Sequence, residues 1–197
     1  MLYKNREKFN FLSIKIGMLF SKLPLTPNQW TLLSLVPAIL VFYFLSLGQF
    51  FFAGLLFAIA GFLDFVDGSV ARVTGRATKF GAYLDTVVDR FVEFFAVAGV
   101  FFLPLPGFFV PANFWLFLYL FGSMMTTYVK AAAKEKDLVQ QEIKGGLFER
   151  AERLMLLFLG ILAAPFGLIY LTAVIVVLAI VSNLSALQRI FVAKEKG

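Results

Sequence analysis

The chain holds 197 residues, 60% of them hydrophobic and 15% charged, with 26 Phe and a formal charge of +6. A soluble domain of this length is usually less than half apolar, so the composition excludes an ordinary water-exposed fold and points to lipid as the solvent. With neither cysteine nor histidine in the chain, disulfides, thiolate nucleophiles, iron–sulfur clusters and imidazole bases are excluded, and carboxylates, which suit hard divalent cations, are left to do any acid–base or metal work.

Residues 1–25 come first. Phe9, Leu12, Ile16, Leu19 and Phe20 recur at helical spacing with Lys8, Lys15 and Lys22 interleaved. The pattern predicts an amphipathic helix lying in the membrane interface rather than a cleaved leader. Thr26–Pro27–Asn28 then breaks it and opens the first span, since Pro is well placed near a helix start.

Residues 26–197 read as one all-α transmembrane domain. A spanning helix needs about 20 predominantly apolar residues, and six segments qualify: 28–46, 50–72, 80–103, 110–131, 150–165 and 168–190. Their connections alternate. Those at 47–49, 104–113 and 164–167 are uncharged, whereas 72–79 and 130–153 are rich in charge, as are both chain ends. The 18 Lys and Arg are assigned to the side of the two termini or to helix ends facing it. By the positive-inside rule that side is cytoplasmic, giving a multi-pass protein of the cell membrane with both termini and the active site cytoplasmic. Basic residues that punctuate apolar segments, with no separate basic domain, argue against nucleic acid as a partner. There is no internal repeat.

Spans two and three carry Asp64, Asp67, Asp85, Asp89 and Glu93. An Asp at the centre of a span costs about 2.5–3.5 kcal/mol, so the group costs on the order of 10 kcal/mol unless it faces a polar cavity and binds something cationic. Asp64 and Asp67 are i, i+3 neighbours, while Gly81, Asp85, Asp89 and Glu93 repeat at i+4 and form one acidic stripe. Joined by a short basic loop, the two spans are expected to bring four carboxylates into an oxygen cage for one or two divalent ions. Interhelical hydrogen bonds, or pairing with Arg72 and Arg90, are the structural alternative; two pairs at helical spacing exceed what such gluing requires. For Glu93, a simple ion pair is the stronger reading. Gly68 and Gly81 remove side chains where a ligand or an opposing backbone approaches.

A second cluster is cationic: Lys130 at the end of the fourth span, Arg150 and Arg153 opening the fifth, Arg189 near the end of the sixth. Convergent Lys and Arg recognise phosphate, Arg with a bidentate fork. The plainer alternative is flanking positive charge that snorkels to lipid headgroups.

The acidic pattern reads Asp64-x₂-Asp67-Gly68-x₂-Ala71-Arg72-x₈-Gly81-x₃-Asp85-x₃-Asp89, eight fixed positions within 26 residues. It resembles the signature of the CDP-alcohol phosphotransferase family, also called CDP-alcohol phosphatidyltransferases, and the six-span reading resembles that family over nearly the whole chain. The resemblance implies an enzyme with two divalent ions, Mg²⁺ or Mn²⁺, held by Asp64, Asp67, Asp85 and Asp89, with Asp89 also the base that deprotonates the acceptor. It implies a CDP-linked lipid (CDP-diacylglycerol or CDP-archaeol) contacted by Asn28, Gln29, Gly68, Arg72 and Thr78, and CMP as leaving group in phospholipid biosynthesis. The cation cluster resembles the branch whose acceptor is inositol 1-phosphate, with Lys130, Arg150 or Arg153, and Arg189 on the acceptor's phosphate. Glycerol 3-phosphate is the alternative acceptor, a divalent-cation transporter the non-enzyme alternative, and a homodimer the expected assembly.

Overall fold

The computed structural model of the chain describes residues 6–139 and 147–196, with side chains from 11 to 139 and from 147 to 195. The described residues form eight α-helices: α1 (Arg6–Phe20), α2 (Pro27–Leu33), α3 (Leu35–Ser46), α4 (Phe50–Thr74), α5 (Lys79–Phe101), α6 (Ala112–Glu135), α7 (Arg150–Ala163) and α8 (Leu168–Lys196). A turn of 3₁₀ helix over Ala164–Phe166 separates α7 from α8. The chain divides into two compact units, one from Met1–Phe44 with Phe52–Ala96, the other from Leu45–Phe51 with Val97–Gly197.

Among the described residues, three stretches are long and apolar enough to cross a membrane: Pro27–Ser46, Phe50–Thr74 and Leu168–Glu195. The other three expected spans are helical but fall outside that class. Helix α5 carries Lys79, Asp85, Asp89, Arg90 and Glu93, α6 interleaves Asn113, Ser123, Thr126 and Thr127 with its apolar residues, and α7 is 14 residues long. The expected first span is also broken, into α2 and α3 at Ser34. Pro37 has no N–H to give the Leu33 carbonyl, so the ladder is interrupted one turn ahead of it. Ser34 Oγ instead donates to the Thr31 carbonyl at 2.7 Å. The charged connection expected over 130–153 is shorter, because α6 continues to Glu135 and α7 begins at Arg150, and its part from 140 to 146 lies outside the described residues.

In the first unit, α1 packs on α4 through a narrow stripe. Ser13 and Gly17 are buried and Ile16 and Phe20 are half-buried, whereas Leu12 and Leu19, expected on the same face, are exposed. A Cβ on Gly17 would sit 2.5 Å from the Ser69 carbonyl oxygen and 2.6 Å from Val73 Cγ2. Only glycine allows this approach. Phe20 meets Trp30 edge-on at 5.4 Å, and both join a cluster with Val66 and Val70 of α4.

In the second unit, α6 and α8 are closely packed. Gly122 on α6 accommodates Asn183 of α8, whose Nδ2 donates to the Leu118 carbonyl at 2.9 Å and to the Ala179 carbonyl at 2.8 Å. Buried positions are mostly small: Ser123 and Thr126 on α6, Ala179, Ser182, Ser185 and Ala186 on α8. Large apolar residues on the same helices, such as Phe117, Phe121, Ile180 and Leu187, are exposed. The outer surface of both helices is thus apolar, although Tyr119, Leu171, Ile175 and Leu178 are buried as well. Such a surface is what lipid as solvent selects, because apolar surface costs nothing there and close backbone approach supplies the packing.

A Cβ at Gly122 would lie 2.6 Å from Asn183 Nδ2 and 2.8 Å from the Asn183 backbone nitrogen, whereas at Gly61 nothing lies within 4 Å. Gly122→Ala is therefore expected to cost about 1–3 kcal/mol and lower the melting temperature in detergent by roughly 3–10 °C. Gly61→Ala should leave the melting temperature unchanged or slightly higher.

Candidate functional site

The site begins where α4 ends. Gly75 adopts φ +66° and Arg76 N donates to the Ala71 carbonyl at 3.0 Å, a left-handed glycine closure of the helix. The chain then reverses within three residues, and Thr78 caps α5 by accepting from Gly81 N at 2.9 Å. This tight turn lets the acidic end of α4 face the acidic stripe of α5. One oxygen each from Asp64, Asp85 and Asp89 lie within 4.8 Å of one another, with Asp89 buried and the other two half-buried. Three negative oxygens so close repel by roughly 3 kcal/mol per pair even at an effective dielectric of about 20. A divalent ion among them reverses the sign of that energy.

Asp67, the fourth expected ligand, is not part of this trio. It is buried at 5% exposure, one turn along α4 from Asp64, and lines an adjoining cavity of about 210 Å³ together with Asp85. Its Oδ2 is buried without a hydrogen bond from the described residues, which is costly for a carboxylate oxygen unless a cation meets it. The residues thus fit a divalent ion on two counts: a trio at ligating separation and a buried acceptor beside it.

Of the residues expected at the nucleotide, Asn28, Gly68, Arg72 and Thr78 all line this cavity. Gln29 does not. Its Oε1 accepts from Thr26 N at 2.8 Å while Thr26 Oγ1 accepts from Gln29 N at 3.3 Å, so its side chain is used in the capping box that starts α2. Gly81 is tight for a different reason, since a Cβ there would lie 3.0 Å from Asn28 Oδ1 and 3.1 Å from Thr78 Oγ1. Two polar lining residues went unpredicted. Thr31 follows Asn28 by one turn of α2 and could have been found from that spacing; Arg76 was counted only as loop charge.

Arg90 and Glu93 form an ion pair at 2.8 Å, with side chains 13% and 2% exposed. The ion-pair reading of Glu93 therefore holds. Arg90, three turns inside α5, departs from the expectation that every basic residue sits at a helix end.

The four cationic residues all belong to the second unit. Arg153 is 1% exposed and donates through Nη2 to Ser123 Oγ and through Nη1 to the Phe148 carbonyl, both at 3.3 Å. Arg189, 5% exposed, donates to the Thr126 carbonyl at 2.8 Å. Ser123 and Thr126 are one turn apart on α6, and Lys130 lies one turn further on the same helix, half-buried. Arg150, the first residue of α7, is also half-buried. Backbone N–H groups just before α7 are tied to α8: Phe148 N donates to Ser185 Oγ and Leu147 N to Gln188 Oε1.

Residues 24–192 match the family model described as CDP-alcohol phosphatidyltransferase. The chain is 32% identical over its full length to an archaetidylinositol phosphate synthase of Pyrococcus horikoshii, covering 98% of that protein. It is 32% identical to a phosphatidylinositol phosphate synthase of Corynebacterium glutamicum over 79% of this chain and 71% of that one. The fold is similar to that of the Mycobacterium tuberculosis phosphatidylinositol phosphate synthase solved in complex with manganese and citrate. The TM-score is 0.81 at 24% identity, over 92% of this chain and 88% of that one.

The geometry separates Glu93 from the other acids. Asp85→Asn should weaken Mn²⁺ binding by about tenfold or more, measured by calorimetry on the purified protein. Glu93→Gln should lower the melting temperature and leave Mn²⁺ affinity near wild type. An equal loss of Mn²⁺ in both would bring Glu93 into the ligand set.

Proposed function

The chain belongs to the CDP-alcohol phosphatidyltransferase family, and on that premise we propose that it transfers a phosphatidyl- or archaetidyl-type group from a CDP-linked lipid to inositol 1-phosphate, releasing CMP. The observation that carries the reading is the carboxylate trio beside a cavity lined by Asn28, Asp67, Arg72 and Arg76, in a chain similar over its full length to an archaetidylinositol phosphate synthase. The manganese and the CDP-diacylglycerol bound in the mycobacterial neighbour's structures support the choice of metal and donor.

In this reading Asp64, Asp67, Asp85 and Asp89 hold two divalent ions, Mg²⁺ or Mn²⁺. When bound, these supply charge neutralisation of the diphosphate and polarisation of the bond to be broken. Asn28, Thr78 and Gly68 shape the cavity for the nucleotide. Arg72 and Arg76 add positive charge where the diphosphate lies. Asp89 accepts the proton of the acceptor hydroxyl, since no imidazole exists in the chain to do so. The alkoxide oxygen bonds to the phosphorus that carries the lipid, and the phosphorus–oxygen bond to CMP breaks with its electron pair leaving on CMP.

Arg153 and Arg189 suit the acceptor's phosphate because both guanidiniums are buried and held by hydrogen bonds, so their positive charge is fixed in place before a ligand arrives. Lys130, one turn beyond Thr126 on α6, and Arg150, one turn before Arg153 on α7, are half-buried and add charge to the same recognition. A glycerol 3-phosphate acceptor needs the same groups and is the second reading.

The proposal extends to topology. Helices α5 and α6 have 23 and 24 residues, about 35 Å at 1.5 Å per residue and sufficient for a bilayer. Helix α7, continued by its 3₁₀ turn, reaches 17 residues. All six segments then span, with the basic connections and both termini cytoplasmic.

Purified protein with Mn²⁺ and a CDP-lipid should release CMP on addition of inositol 1-phosphate, and much less with free inositol, serine or glycerol 3-phosphate. Preference for glycerol 3-phosphate would move the acceptor assignment; ion flux in liposomes without CMP release would favour a cation carrier. Asp89→Asn should abolish turnover and retain CDP-lipid binding. Arg153→Ala should raise the KM for inositol 1-phosphate by about tenfold or more with the KM for the CDP-lipid little changed.

A further inference from the structure

We infer that α1 is a working part of the nucleotide cavity: Ser13 is a positioning residue that, with Ser69, fixes the guanidinium of Arg72. This rests on the reading that the cavity takes the diphosphate of a CDP-linked lipid.

The hydrogen bonds can be assigned atom by atom. Arg72 Nη2 donates to Ser13 Oγ at 2.8 Å and to Ser69 Oγ at 3.3 Å. Ser69 Oγ donates its own proton to the Phe65 carbonyl at 2.8 Å. A hydroxyl has one proton to give, so in the 2.9 Å contact between Ser13 Oγ and Ser69 Oγ the donor is Ser13. Both hydrogens of Nη2 and both hydroxyl protons are then committed. The ring Arg72–Ser13–Ser69 is closed.

Burial and packing make the ring specific. Ser13 is 7% exposed and Ser69 is fully buried, so water competes poorly for these bonds. Gly17, one turn along α1 from Ser13, permits the backbone approach that brings Ser13 to Ser69. The Nη1 edge of Arg72 lies against Gly68, 3.2 Å from where a Cβ would be, and both residues line the cavity. Arg72 otherwise stands exposed on a long flexible side chain. Anchoring Nη2 from outside the cavity fixes the guanidinium plane and with it the direction of the two Nη1 hydrogens, so a phosphate oxygen meets a donor that is already oriented. A helix whose composition suggests only a membrane-surface anchor thereby sets the orientation of a charge inside the site.

The test is a double-mutant cycle on purified protein, with the KM for CDP-lipid and for acceptor measured separately and the melting temperature alongside. Ser13→Ala should raise the CDP-lipid KM about tenfold with the acceptor KM unchanged. Ser13→Thr, which keeps the hydroxyl, should restore most of it. In an Arg72→Ala background Ser13→Ala should add less than about twofold, since the two act through one contact. Leu12→Ala, on the exposed side of α1, serves as the control with wild-type kinetics. An equal Ser13→Ala penalty with and without Arg72, or no penalty at all, overturns the inference. If Ser13→Ala does not fold, Ser13→Cys, similar in size but a poor hydrogen-bonding partner, takes its place in the same cycle with the same two outcomes. Absence of turnover in the wild type strikes instead at the proposed function, and CMP binding followed by titration in the same variants then decides the role of Ser13.

Discussion

Mutual repulsion among carboxylates is the constraint on which the rest of this molecule depends. Asp64, Asp85 and Asp89 present oxygens within 4.8 Å of one another, with Asp67 buried beside them, in helices that otherwise expose phenylalanine and leucine. Burial in an apolar setting and the proximity of like charges both disfavour the ionised carboxylates, and a divalent cation among them relieves both. The features around the cluster follow from holding it together. The Gly75 closure and the Thr78 cap fix the reversal between α4 and α5, and the Arg90–Glu93 pair neutralises the next acid on the stripe two turns deeper than Asp85. Arg72 and Arg76 put positive charge on the cavity wall.

The helices solve a second problem by the same economy of size. In lipid, burying a leucine brings no hydrophobic gain, so close contact is made with residues that let backbones meet. Gly17 against Ser69 and Gly122 against Asn183 are two such places. At each the neighbouring polar group does more than pack. Ser69 belongs to the ring that holds Arg72, and Ser123, next to Gly122, receives a hydrogen bond from the buried Arg153. Small polar residues thus set both helix separation and the direction of the Arg72 and Arg153 guanidiniums.

Much of this was legible in the sequence for a definite reason. Carboxylates in an apolar helix have a high cost, and the spacing of four between Asp85 and Asp89 made the acidic stripe of α5 legible; the trio forms with Asp64, whereas Asp67 lines the adjoining cavity. Helix positions were legible because apolar runs have sharp ends, and α4, α5 and α8 begin within a residue of expectation. Local competition for hydrogen bonds was not legible. Gln29 was expected at the nucleotide but is used in its own helix cap, and Pro37 splits a span that hydropathy reads as continuous. The face of α1 was misjudged because amphipathicity assumes that the apolar side is the packed side. Here the packed stripe is Ser13 and Gly17, and Leu12 and Leu19 face outward, as a lipid environment permits.

The most direct test is to locate the metal. Crystals grown with Mn²⁺ and a CDP-lipid, measured at the manganese absorption edge, should show anomalous density between the Asp64, Asp85 and Asp89 oxygens, with Asp67 contributing to the same centre. Anomalous density elsewhere, or a bound CDP-lipid with those carboxylates turned apart and no metal among them, would contradict the account.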